Sequence, residues 1–296
     1  MPLLYWVQCT PSTPDVVIYF LSGSLPASAR LHLKQLSLFS MISRLPNNIL
    51  HRIASHILIS GNDNCGSWFI HIRDLCLKYG LPHPISQLQN PLSKLAAKSL
   101  FKSKVIDFYE TQLRESSTSL SSLRYFQPNY MSLSKPHPLW TTCSNNSYEV
   151  SRAVAQARML SGRYKTDRLA RHFSQNSDGS CLLCNEGADG SIEHLLLQCP
   201  SLSHTRQNMS NFLLERDDFS PTTKSLINTV MDGQSVTDKV QLLLDCSCLP
   251  DVIANQQSDN RTFSQIFKFS RTLCYAVHAM RMKIIEARKE TSTNNL

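Results

Sequence analysis

The sequence has no long hydrophobic run, no internal repeat and comparatively few negative charges. Its opening, "MPLLYWVQCT", lacks the basic start and extended apolar core of a secretory signal. The most apolar stretch near that end, "VVIYFL", is six residues, against the roughly 20 a helix needs to cross a bilayer. No membrane partner is therefore expected, and the expected location is cytoplasmic or nuclear. Thiols stay reduced there, which excludes a disulfide framework and leaves the ten cysteines as free thiols or metal ligands. Neither a glycine-rich phosphate loop nor H-E-x-x-H occurs, so those routes to nucleotide or zinc-dependent catalysis are absent. Wholesale disorder is excluded too, because 42% of the residues are hydrophobic and can form cores. Thirty Lys and Arg against 22 Asp and Glu give a net charge of +8, which favours polyanionic partners such as RNA or DNA.

What is present reads as mainly α, one or more helical bundles with a small zinc knuckle. "DVVIYF" could be a strand, whereas "LPASARLHLKQLSLFSMISRL" is apolar nearly all round and predicts a buried helix. "NNILHRIASHILIS" predicts a helix capped by Asn, with Ile49, Ile53 and Ile57 spaced four apart. "SWFIHIRDLCLKYG" places Ser67 as cap, Phe69, Ile72 and Cys76 on one face, and Gly80 as stop. A longer helix follows, its stripe carried by Leu92, Leu95, Ile106, Tyr109 and Leu113, with Lys94, Lys98, Lys102 and Lys104 elsewhere on the surface. Residues 115–147 are rich in Ser, Pro and Asn and predict a linker or surface excursion. The expected division is thus 1–114, 115–147, 148–216 and 217–296. The last segment predicts a helix from Ser220 and Pro221 to Gly233, then a long one striped by Phe263, Ile266, Phe267, Leu273, Val277, Met280 and Ile284.

The chemistry concentrates in "CLLCNEGADGSIEHLLLQC". Cys181 and Cys184 have the spacing that lets two thiolates on one tight turn point at a single ion, and His194 and Cys199 complete C-x2-C-x9-H-x4-C. Three sulfurs and an imidazole suit one closed, tetrahedral, structural zinc ion, with no position left for a reacting water. Gly187, Asp189 and Gly190 let the chain double back. Ser191 can cap a short helix carrying His194, and Pro200 ends it. His204 and the "CSC" of residues 246–248 fall outside this spacing and are read as non-ligands. Just upstream, Arg152, Arg158, Arg163, Lys165, Arg168 and Arg171 outnumber Asp167, with Tyr164 and Phe173 interleaved. Such cations can neutralise phosphates while rings stack on unpaired bases. The other use of the same residues is a solvated face with its rings in a core.

At these residues the chain resembles the C-terminal zinc-knuckle region of non-LTR retrotransposon reverse transcriptase polyproteins. Gly162, Arg163 and Tyr164 match a segment ahead of the cluster, and Glu193, His194, Cys199 and Pro200 match its second half. "LSGSLPASARLHLKQLSLFSMISRL" is similar to the segment after the polymerase palm, and the likeness runs over roughly residues 15–285. The resemblance implies a thumb-side remainder that binds RNA or DNA with little sequence specificity, with a reverse transcriptase encoded elsewhere as a further partner. It does not imply a polymerase, because the Y/F-x-D-D turn that would hold catalytic metal ions is missing and "ERDDF" is the only Asp pair. No catalytic residue is expected. Two alternatives stay open. One is a zinc-stapled protein-interaction module without nucleic-acid binding. The other is a restriction-like nuclease, for which Pro250, Asp251, Asp259 and Lys268 are the candidates.

Overall fold

The computed structural model describes residues 13–60, 66–171, 178–184, 186–256 and 260–293. These are mainly helical, and the one extended pairing among them is an isolated antiparallel bridge between Ser180 and Asp189. The chain forms two compact units, Gly23–Thr118 and a second made of Met1–Ser22 with Ser119–Leu296. The division therefore falls at other places than composition suggested.

Helix α1 (Asp15–Ser22) covers the stretch expected as a strand. Short apolar runs carry no decisive periodicity, and this one buries Val16, Val17, Ile18, Phe20 and Leu21 almost all round. It belongs with the later chain: Leu21 carbonyl accepts the His137 N–H at 3.0 Å, and the Phe20 ring lies 6.4 Å from that of Phe126.

In the unit Gly23–Thr118, α2 (Ala27–Ser43) packs along α6 (Lys94–Thr118), with α3 (Ile49–Ser60), α4 (Trp68–Lys78) and α5 (Pro84–Gln89) completing the bundle. The caps follow expectation. Asn48 Oδ1 accepts the Leu50 N–H at 2.8 Å, Ser67 Oγ accepts that of Phe69 at 3.3 Å, and Gly80 ends α4 at φ +59°. The buried face of α4 does too, with Phe69, Ile72 and Cys76 all in the core, but those of α3 and α6 do not. In α3 the core residues are Ala54 and Leu58, while Ile49 and Ile53 are exposed. In α6 they are Ala97, Phe101, Val105 and Tyr109, of which the expected stripe held Tyr109 alone, and Leu95 is 79% exposed. At 100° per residue Leu95 and Leu113 lie on the opposite side of α6 from Ala97, and Leu92 precedes the helix. Helix α2 buries Ala29, Leu36, Phe39 and Ile42 but exposes Leu31, Leu38 and Met41. Its neighbours cover one side only.

In the other unit, residues 119–147 are not a linker. They form short turns and α7 (Pro138–Thr141), and they bury Leu123, Tyr125, Phe126, Leu133 and Leu139. The Ser, Pro and Asn content marks an absence of long helix, not an absence of core. Helix α8 (Ser147–Leu160) follows, then a single turn α9 (Asp167–Ala170). Beyond the Cys/His cluster of residues 181–199 come α10 (Ser203–Glu215), α11 (Pro221–Asp232), α12 (Val236–Leu244), α13 (Pro250–Gln256) and α14 (Asn260–Thr293). Helix α14 packs on α8, α10, α11, α12 and α13, so 148–216 and 217–296 share one core. Of its expected stripe, Phe263, Ile266, Phe267, Leu273 and Val277 are buried, while Met280 and Ile284 are half-buried.

Candidate metal centre

The chain doubles back as its turn residues demand. Cys181 N–H donates to Ala188 carbonyl at 2.8 Å and Gly190 N–H to Gly179 carbonyl at 2.9 Å, around a turn in which Gly187 takes φ +65°. Inside it, Leu183 N–H points at Cys181 Sγ from 3.4 Å. Ser191 Oγ then accepts the His194 N–H at 3.2 Å, the cap expected of it. The turn that follows, His194–Gln198, is a π turn, closed by Cys199 N–H on His194 carbonyl at 2.7 Å. In an α-helix, residues five apart point about 140° from one another. The wider π winding narrows that angle and lets both side chains face one point.

Cys181, Cys184, His194 and Cys199 are all buried, and their ligand atoms lie within 4.8 Å of one another. Cys181 Sγ is 3.9 Å from Cys199 Sγ, and Cys184 Sγ is 3.4 Å from His194 Nε2. A tetrahedral ion about 2.3 Å from each sulfur and about 2.0 Å from nitrogen sets its ligands roughly 3.5–3.8 Å apart. The donors therefore fit one metal ion. Burial, and then the neighbouring Cys181, pushes the Cys199 thiol up to about 12. Crowded buried thiols of this kind ionise readily only against a cation. Burial also lowers His194, favouring the neutral imidazole that a metal binds. His204 stands apart, its ring 3.2 Å from the Asn208 amide.

The supports of the cluster come from far along the chain. Asp167 is 3% exposed, accepts the Leu182 N–H at 3.1 Å through one oxygen, and through the other pairs with Arg281 of α14 at 2.9 Å. Arg288, a further two turns on, donates to the carbonyls of Leu182 and Leu183. Arg206 of α10 donates to the carbonyls of Cys199 at 2.8 Å and Leu195 at 3.4 Å. Gly190 is required here, since a Cβ on it would sit 2.6 Å from that of Asp167. Sequence reasoning counted Asp167 only as one negative charge among six positive. Its place after Thr166, which caps α9 through the Leu169 N–H, was the available signal.

The basic segment is only partly free. Lys165, Arg168 and Arg171 are exposed, though Arg168 pairs with Asp189 at 3.0 Å, and Arg158 and Arg163 are half-buried. Tyr164 is buried, its hydroxyl 2.9 Å from His278 Nδ1 and its ring beneath the Arg281 guanidinium. It belongs to the core and offers no ring for stacking, which corrects that part of the expectation. Phe173 lies outside the described residues. A groove of about 490 Å³ beside the cluster is lined by Arg124, Arg163, Arg168 and Glu193, with Glu193 accepting from Tyr125 at 2.6 Å and Arg124 at 3.1 Å. Of the nuclease candidates, Asp251 lies in the first turn of α13, Lys268 pairs with Asp218 at 2.7 Å, and Asp259 lies outside the described residues.

Fold and site together define a mainly α chain with a buried C-C-H-C cluster able to hold one metal ion. No family model, curated protein or solved structure matches it. Among the described residues no helix is long and apolar enough to cross a membrane.

Proposed function

We propose that the chain is a non-catalytic nucleic-acid-binding protein with one structural zinc ion on Cys181, Cys184, His194 and Cys199. In this reading it descends from the C-terminal region of a non-LTR retrotransposon reverse transcriptase and acts in the cytoplasm or nucleus. The observation that carries it is the convergence of four buried ligand atoms within 4.8 Å. A bound zinc would supply closed tetrahedral coordination and hold the two arms of the turn together. Asp167, Arg206 and Arg288 would fix the backbone around it, leaving Lys165, Arg168 and Arg171 at the surface to meet phosphates. A basic contact of this kind binds with a steep dependence on salt and little on base identity.

The test is titration of a labelled single-stranded RNA at salt concentrations from about 50 to about 200 mM. Wild type is expected to bind at low salt and release as salt rises, and changing Arg163, Arg168 and Arg171 together to Gln is expected to weaken all sequences alike. Absence of binding at about 50 mM salt would support the second reading, a zinc-stapled protein-interaction module. Two observations favour that rival: the Arg168–Asp189 pair and the burial of Tyr164.

A further inference from the structure

Most of the net positive charge lies outside the unit that bears the cluster. Gly23–Thr118 holds eleven Lys and Arg against five Asp and Glu, a net +6, while the cluster-bearing unit holds nineteen against seventeen, a net +2. Within the first, α6 is sharply divided. Residues 94–104 contain four lysines and no acid, whereas Asp107, Glu110 and Glu115 share the remainder with Arg114. That order opposes the helix dipole, which favours acids at the N-terminus and bases at the C-terminus. It also sets like charges four apart, where they repel. A helix tuned only for its own stability would carry the reverse pattern.

Lys94, Lys98 and Lys102 lie one beneath the next along a flank of α6, about 6 Å of rise apart. All three are exposed, and none has an acidic partner among the described residues. Beside them α2 and α6 enclose a groove of about 410 Å³. Arg44, Lys94 and Lys98 rim it, Ser37 and Ser40 add hydroxyls, Phe101 contributes an apolar wall, and no acid lines it. Arg44 is held in place by donating to Ser40 Oγ at 2.8 Å.

We propose that this groove and lysine row form a second contact for nucleic acid, taking the sugar-phosphate backbone of a single strand. Cations at regular rise track successive phosphates, Arg44 adds a further positive charge at the rim, and the apolar wall accommodates sugar or base. The inference deepens the reading of the chain as a nucleic-acid binder, yet it rests on a different unit and fails separately.

The test uses the full chain and a labelled single-stranded RNA, comparing wild type with K94Q/K98Q/K102Q and with R163Q/R168Q/R171Q. Glutamine keeps helix propensity, and far-ultraviolet circular dichroism checks that helicity is retained. The lysine variant is expected to lose about 2 from the slope of log affinity against log salt, and to bind about tenfold more weakly at about 50 mM salt. A Lys→Arg triple variant should restore both. Loss in the lysine variant with full binding in the arginine variant supports this site and removes the one beside the cluster. An unchanged slope in the lysine variant, while wild type binds RNA, overturns the proposal. So does wild-type binding to phosphatidylserine vesicles without binding to RNA, and so does no binding to either, which also removes the broader reading.

Discussion

In the cluster-bearing unit charge is buried and joins distant elements, whereas in Gly23–Thr118 charge stays outside and the joints are apolar contacts with neutral hydrogen bonds such as Ser28–Tyr109 and His32–Tyr79. Asp167 and Arg281 meet at 2.9 Å with both side chains buried. Arg271, 2% exposed, donates to the carbonyls of Leu139 at 3.2 Å and Thr142 at 2.9 Å. His137 faces Asp245 at 3.4 Å in full burial, its Nδ1 accepting the Leu139 N–H at 3.2 Å. The smaller unit has no counterpart among its described residues. Its buried polar groups are Ser40, Ser43 and Gln87, and it leaves Leu31, Leu38, Ile49, Ile59, Leu77 and Leu95 in solvent. Directional bonds between charges tolerate little change, because a buried partner left alone is costly. Apolar stripes tolerate more. One unit is therefore built to hold a site rigid, and the other to present a surface.

The sharpest break in that contrast is Asp167→Asn. It removes the carboxylate that holds both Leu182 and Arg281, and chemical denaturation should report a loss of about 3–5 kcal/mol. A loss under about 1 kcal/mol would mean the joint behaves as a surface pair. Next is a matched pair of glycines with similar backbone angles. At Gly162, φ +65°, an added Cβ would lie 2.1 Å from Ser122 carbonyl oxygen, whereas at Gly80, φ +59°, it meets nothing within 4 Å. Gly162→Ala is expected to cost about 3 kcal/mol or more, and Gly80→Ala about 1 kcal/mol. Equal losses by thermal melting would remove the distinction.

A smaller effect is expected from pH. His278 is lowered first by burial, then by the charges of Arg158 and Arg281. Its folded form resists the proton that the unfolded chain accepts near the usual value of about 6.5. Stability from this group is complete above that value and is lost as pH falls below it. His278→Gln should flatten that part of the decline, read as melting temperature against pH. An unaltered slope would place the loss elsewhere. The smallest effect belongs to K94Q/K98Q/K102Q, whose melting temperature should hold steady or rise, within about 0.5 kcal/mol, as like-charge repulsion is relieved. A clear destabilisation would show that those lysines serve the fold.

The convergence of Cys181, Cys184, His194 and Cys199 was legible because spacing encodes it, and so were the caps at Ser67, Ser191 and Ser220, where one side-chain oxygen settles a helix start. Thr223 N–H on Ser220 Oγ at 3.2 Å, with Gly233 closing α11, is one such case. The buried faces of α3 and α6 were not, because both helices carry leucine or isoleucine on more than one side and their neighbours choose. Residues 119–147 misled through composition, their apolar residues being spaced for short turns. Tyr164 and Asp167 were undecidable locally, since His278 and Arg281, which fix their roles, lie more than a hundred positions away.

The central claim is that Cys181, Cys184, His194 and Cys199 hold a structural zinc ion. It is tested most directly by elemental analysis of protein purified without added metal, beside Cys199→Ser. One zinc per wild-type chain, lost in the variant, is the predicted result. A wild type that is folded by circular dichroism yet carries no zinc would contradict it.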